Sequence, residues 1–153
     1  MNIDKKIAGL ALILIVFIVL VVGSVSIMDQ ATKIKPSPAD RISYDNISTT
    51  KNNVTVRVQD PIIVAIENTG SMIPTFNEDS NLIEIVPKSP DELNVGDIVS
   101  YQYGDDVIVH RIIEIGNDEN GWYARFKGDN NPVQDPGRIR FSQIKRLVVG
   151  IIY

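Results

Sequence analysis

With one histidine and no cysteine in 153 residues, proton transfer near neutral pH falls first to His110, whose imidazole is the side chain best matched to taking and returning a proton. It sits in Val107-Ile108-Val109-His110-Arg111-Ile112-Ile113, where the two-residue period of a strand puts it on one face with Ile108 and Ile112. Two roles fit that position, a core histidine satisfied by a backbone carbonyl and a general base. A nucleophile for such a base is offered by Ser71 in Gly70-Ser71-Met72-Ile73-Pro74-Thr75, just past an apolar run ending near Ile66. Gly70 tolerates backbone angles that other residues resist, and Pro74 stiffens the segment after Ser71. The alternative is a turn serine that caps its own chain. The third element is the polar loop from Lys127 to Gly137. Its Asp129, Asn130 and Asn131 suit Asx turns, while Asp135 could accept a hydrogen bond from one ring nitrogen of His110. That bond would set the tautomer, leave the other nitrogen for Ser71 and complete a triad.

Short strands are the elements that must position these groups. Val54, Val56 and Val58 alternate with Thr55 and Arg57, and Ile62–Ile66 is a continuous apolar run of buried-strand length. Leu82–Val86, Ile98–Tyr103, Val107–Ile115, Trp122–Phe126 and Leu147–Ile152 come next, separated by Pro, Gly, Asn and Asp. Gly104-Asp105-Asp106 is a hairpin-length link between two of them. The expected fold is therefore mostly β, an antiparallel domain over 54–153.

Upstream the chain changes character. Ile7–Met28 is a run of 22 uncharged residues, about 33 Å long as a helix and enough to cross a hydrocarbon core of roughly 30 Å. It exceeds the apolar core of a cleaved leader, which is about 7 to 15 residues, so residues 1–28 read as one N-terminal transmembrane anchor. Lys5 and Lys6 on one side and Lys33, Lys35 and Arg41 on the other leave its orientation open. Residues 29–53 are polar and carry Pro36-Ser37-Pro38, the composition of a stalk. The net charge of −4 argues against nucleic acid as a partner. The absence of cysteine and the single histidine argue against disulfides, thiol catalysis and most zinc sites. No cofactor and no metal are expected.

Four segments in order, Gly70-Ser71-Met72-Ile73-Pro74-Thr75-Phe76, Gly96-Asp97-Ile98-Val99, Val109-His110-Arg111-Ile112-Ile113 and Lys127-Gly128-Asp129-Asn130-Asn131, resemble the sequence boxes of type I signal peptidases behind one N-terminal hydrophobic span. His110 places the resemblance with the archaeal and endoplasmic reticulum type, which pairs serine with histidine, a trait shared by SipW-like bacterial enzymes. The lysine type carries lysine at that point. The resemblance implies Ser71, His110 and Asp135 as catalytic residues, Asp135 lying six positions beyond Asp129. Asp129, Arg111 and Gly128 become supporting residues. Relatives often show two adjacent acids where this chain has Gln134-Asp135. The oxyanion donors implied are the Ser71 N–H and the Thr69 hydroxyl.

The implied activity is a membrane-bound serine endopeptidase that removes signal peptides from exported preproteins after small residues. Met72, Ile108 and Val109 would line the substrate pocket, and an extended peptide would pair with Glu67–Gly70 and Val107–Val109. The implied location is the cell membrane, or the endoplasmic reticulum membrane in a eukaryote, with the catalytic domain on the outer or lumenal side. Accessory subunits or a secretion translocon are the implied partners besides preproteins and the bilayer. The competing class is an inactive membrane-tethered β-domain acting as a binding or assembly subunit. A self-cleaving regulatory serine peptidase shares the fold but uses lysine, which His110 disfavours.

Overall fold

The computed structural model describes residues 35–153, and the anchor expected over 1–28 lies outside them. Among the described residues no helix is long and apolar enough to cross a membrane. The regular structure of the described residues is mostly antiparallel β-sheet, joined by turns and loops, with three single-turn 3-10 helices at Tyr44–Asn46, Pro90–Glu92 and Phe141–Gln143.

A short ribbon pairs β1 (Ile47–Thr49) with β2 (Val54–Val56). The other seven strands are β3 (Ile62–Ala65), β4 (Asn81–Ile85), β5 (Ile98–Tyr103), β6 (Asp106–Asp118), β7 (Gly121–Lys127), β8 (Ile139–Arg140) and β9 (Ile144–Ile152). They form one sheet in the order β3-β4-β9-β5-β6-β7-β8. All five strands expected between Leu82 and Ile152 form. β1 and β8 have no counterpart in the sequence reading, because three and two residues are too few to display a period.

Neighbouring residues on one strand feed different cores, as strand geometry requires. Val99, Tyr101, Ile112, Ala124, Phe126 and Leu147 build one cluster, with the Tyr101 and Phe126 rings stacked at a centroid distance of 4.3 Å. Ile98, Leu82 and Val148 build the other with Met72 and Phe76. Each fully buried side chain of this size contributes roughly 1.5–3 kcal/mol of transfer free energy. The second cluster matters for chemistry, since Met72 and Phe76 flank the loop that carries Ser71.

The β5–β6 hairpin pairs Tyr103 with Asp106, so its loop is Gly104-Asp105 alone, one residue shorter than the spacing suggested. Gly104 at φ +60° supplies the positive dihedral that such a two-residue loop demands. Beyond the loop, β6 pairs with β5 along Asp106–Arg111, whereas its pairing with β7 begins only at Arg111. Asp106–His110 therefore has one edge outside the ladder, and this edge borders the site.

Candidate active site

His110 is near the point where β7 leaves β6. Its position opposite Val99 puts it on the Tyr101 and Ile112 face, and it is only 6% exposed. The polar loop brings its partner. The Asp135 N–H donates to the Phe126 carbonyl at 2.8 Å, which docks the loop back onto the end of β7 and aims the carboxylate inward. His110 Nδ1 and Asp135 Oδ2 are 2.6 Å apart. An ionised carboxylate only accepts, so Nδ1 is the donor of this pair and Nε2 is the nitrogen that carries the lone pair whenever the ring is neutral. Tyr101 Oη donates to the same Asp135 oxygen at 2.7 Å. Burial pushes the Asp135 carboxyl up, but the hydrogen bonds from His110 and Tyr101 outweigh it and hold the group below the ordinary carboxylate range. The same neighbourhood, through burial first and the Asp135 hydrogen bond and charge after it, pushes the Tyr101 phenol far above its usual value.

Ser71 sits in a tight series of turns after β3. Gly70 has φ +65°, and the N–H groups of Ile73, Thr75 and Phe76 fold back on the carbonyls of Gly70 and Met72. The 128–131 loop clamps this segment. The Asn130 N–H donates to the Ser71 carbonyl at 2.8 Å, Asn130 Nδ2 to the Gly70 carbonyl at 3.1 Å, and the Asp129 N–H to Met72 Sδ at 3.4 Å. A Cβ at Gly128 would lie 2.8 Å from the Ser71 carbonyl oxygen and 2.6 Å from the Asn131 amide, so this approach requires glycine.

Asp129 is the hub beneath the clamp. Its carboxylate accepts from Arg111 Nε at 2.9 Å and Nη2 at 2.7 Å, a two-toothed charge-assisted pair, and from the Thr75 hydroxyl. Burial raises the Asp129 pKa, yet the Arg111 and Thr75 bonds together with the Arg111 and Lys35 charges bring it below normal.

Ser71 and His110 line one cleft of about 700 Å³ together with Thr69, Met72, Ile108 and Val109. The Ser71 hydroxyl shares a hydrogen bond with Thr69 Oγ1 at 3.1 Å, and the Ser71 N–H donates to that same oxygen at 3.4 Å. Ser71 and His110 thus share the cleft without a direct hydrogen bond between them. Of the ten site residues proposed from sequence, six line the cleft, Asp135 lies behind His110, and Asp129, Arg111 and Gly128 lie beneath Ser71. The sequence patterns above do not single out Tyr101 or Thr75, which hydrogen-bond Asp135 and Asp129. A tyrosine in an apolar strand face needs a partner for its hydroxyl, and that signal was available for Tyr101 in Ile98–Tyr103. Nothing local marks Thr75.

The chain is 42% identical over 82 residues to the signal peptidase complex catalytic subunit sec11 of Dictyostelium discoideum, a match covering 52% of this chain and 44% of that one. It is a partial homologue of that subunit. It is also 40% identical over 42 residues to an uncharacterized protein of Methanocaldococcus jannaschii, covering 28% and 21% of the two chains. The chain therefore matches less than half the length of either relative. No family model and no solved structure matches it. The sec11 likeness supports a signal-peptidase-like family and a function related to signal peptide processing.

Proposed function

We propose that the chain is a membrane-anchored serine endopeptidase of the serine–histidine signal peptidase kind, cutting signal peptides from exported preproteins. The observation that carries this reading is the Asp135–His110 pair at 2.6 Å, oriented behind a cleft that also contains Ser71. Residues 1–28 serve as the anchor, and the β-domain works on the outer or lumenal face. The same reading covers the SipW-like subtype, since both rest on His110.

In this scheme a peptide carbonyl enters the cleft and the Ser71 hydroxyl turns from Thr69 toward His110 Nε2, closing distances that are often loose before substrate binds. Ser71 Oγ attacks as Nε2 takes its proton. Asp135 stabilises the imidazolium formed, and His110 then protonates the leaving amine. Water repeats the sequence on the acyl-enzyme. The Ser71 N–H and the Thr69 hydroxyl exchange their mutual bond for the developing oxyanion. The substrate backbone pairs with the open edge of β6 at Val107–Val109 and with Glu67–Gly70, a strand-addition mode. Met72, Ile108 and Val109, which line the cleft, are the walls against which small side chains are selected in this scheme.

The test is cleavage of a preprotein by membranes carrying the full chain. Wild type is expected to cut and Ser71→Ala to lose all activity. Equal cleavage by both would eliminate serine catalysis, and no cleavage by either would favour a binding subunit.

A further inference from the structure

We infer that Lys35–Arg41 is a strap that positions the Ser71 loop, with Arg41 a positioning residue acting through Asp97, Arg111 and Asp129. The inference rests on the peptidase reading above. Four contacts carry it. The Ala39 N–H donates to Asp97 Oδ1 at 2.9 Å, and Arg41 Nη2 pairs with Asp97 Oδ2 at 2.5 Å. The Pro36 carbonyl accepts from Arg111 Nη1 at 3.2 Å. Lys35 Nζ is 3.9 Å from Asp129 Oδ1. The fit is tight, because a Cβ on Gly96 would lie 2.1 Å from the Ser37 carbonyl oxygen.

Arg111 is where the strap meets the site. Its Nη1 reaches the Gly96 carbonyl at 2.8 Å as well as Pro36, Nη2 reaches Asp129 and Thr75, and Nε reaches Asp129. All three guanidinium nitrogens are thus committed, and the side chain is 7% exposed. Releasing the strap leaves a buried Nη1–H short of an acceptor, a costly state that Arg111 relieves only by shifting. Such a shift moves Asp129, whose neighbour Asn130 holds the Ser71 carbonyl. A linker that only tethers needs none of these bonds.

A displaced nucleophile loses turnover more than affinity, since misplacement of about 1 Å can cost on the order of 100-fold. The experiment uses the full chain in detergent micelles with a preprotein substrate, and kcat is counted per Ser71 labelled by a fluorophosphonate. Arg41→Ala is expected to lower kcat roughly tenfold with KM changed less than about twofold, and Arg41→Lys to recover at least about half of the loss. Should Arg41→Ala fail to fold, Arg41→Met, which keeps the apolar stem, is measured instead. Wild-type kcat per labelled serine in the variant, or equal losses in Arg41→Ala and Arg41→Lys, would overturn the strap while Ser71→Ala remains inert. Full cleavage by Ser71→Ala would overturn the peptidase reading, and the strap's role with it.

Discussion

Asp135 accepts from two donors, and their roles separate by substitution. Asn at 135 presents an amide that cannot stabilise an imidazolium and favours the wrong tautomer. Asp135→Asn is therefore expected to lower kcat about 10³- to 10⁴-fold with little change in KM, as measured on a preprotein. Tyr101→Phe removes one of the two hydrogen bonds to the Asp135 carboxylate and leaves His110 in place, so a loss of roughly tenfold or less is expected. If the two variants fell equally, His110 would not be the group that Asp135 serves. Thr69 gives a second check. Removing one oxyanion donor costs about 3 kcal/mol of barrier, so Thr69→Ala should slow cleavage on the order of 100-fold and Thr69→Ser should restore most of it. A change below about twofold in Thr69→Ala would remove Thr69 from the oxyanion site.

The loop after β7 and the turn after β3 act as a pair, because the first supplies the donors that the second's carbonyls require. Gly128 is the contact point. Alanine there would place a carbon 2.8 Å from the Ser71 backbone oxygen, and a backbone atom clamped on both sides cannot yield cheaply. Gly128→Ala is expected to leave the β-structure intact by circular dichroism while lowering cleavage more than roughly tenfold. Full activity in that variant would show that the clamp does not set the position of Ser71.

Stability of the whole domain should depend on pH from two directions. Asp129 and Asp135 have folded pKa values below their ordinary 3.8. The stability they contribute is complete above that value and is lost as pH falls through the depressed folded values. Glu84 is the reverse case. Its side chain is fully buried, with its Oε2 lacking a hydrogen bond and 3.7 Å from Arg146. Burial raises its pKa above 4.5, against the Ser100 hydroxyl and Arg146. A carboxyl of that kind favours folding below 4.5 and weakens it as pH climbs through the raised value. Glu84→Gln should therefore raise unfolding free energy at about pH 8 and leave it unchanged at about pH 4, read from urea denaturation. An equal gain at both pH values would mean that Glu84 does not change charge on that range.

Strand positions from Leu82 onward were legible because each apolar run was long enough to show its period and was bounded by turn residues. The resemblance further singled out Ser71, His110 and Asp135. The His110–Asp135 pairing was readable only as one option among several, since what fixes it is the Asp135 N–H reaching the Phe126 carbonyl and β6 parting from β7 at Arg111, contacts between residues far apart in the chain. For the same reason nothing in the sequence paired Tyr101 with Asp135, and Lys35–Arg41 read as stalk. Local patterns report which face of a strand a side chain takes. Which second strand, loop or strap supplies its hydrogen-bond partner is set by sheet order and loop closure, and these exist only once the chain has folded.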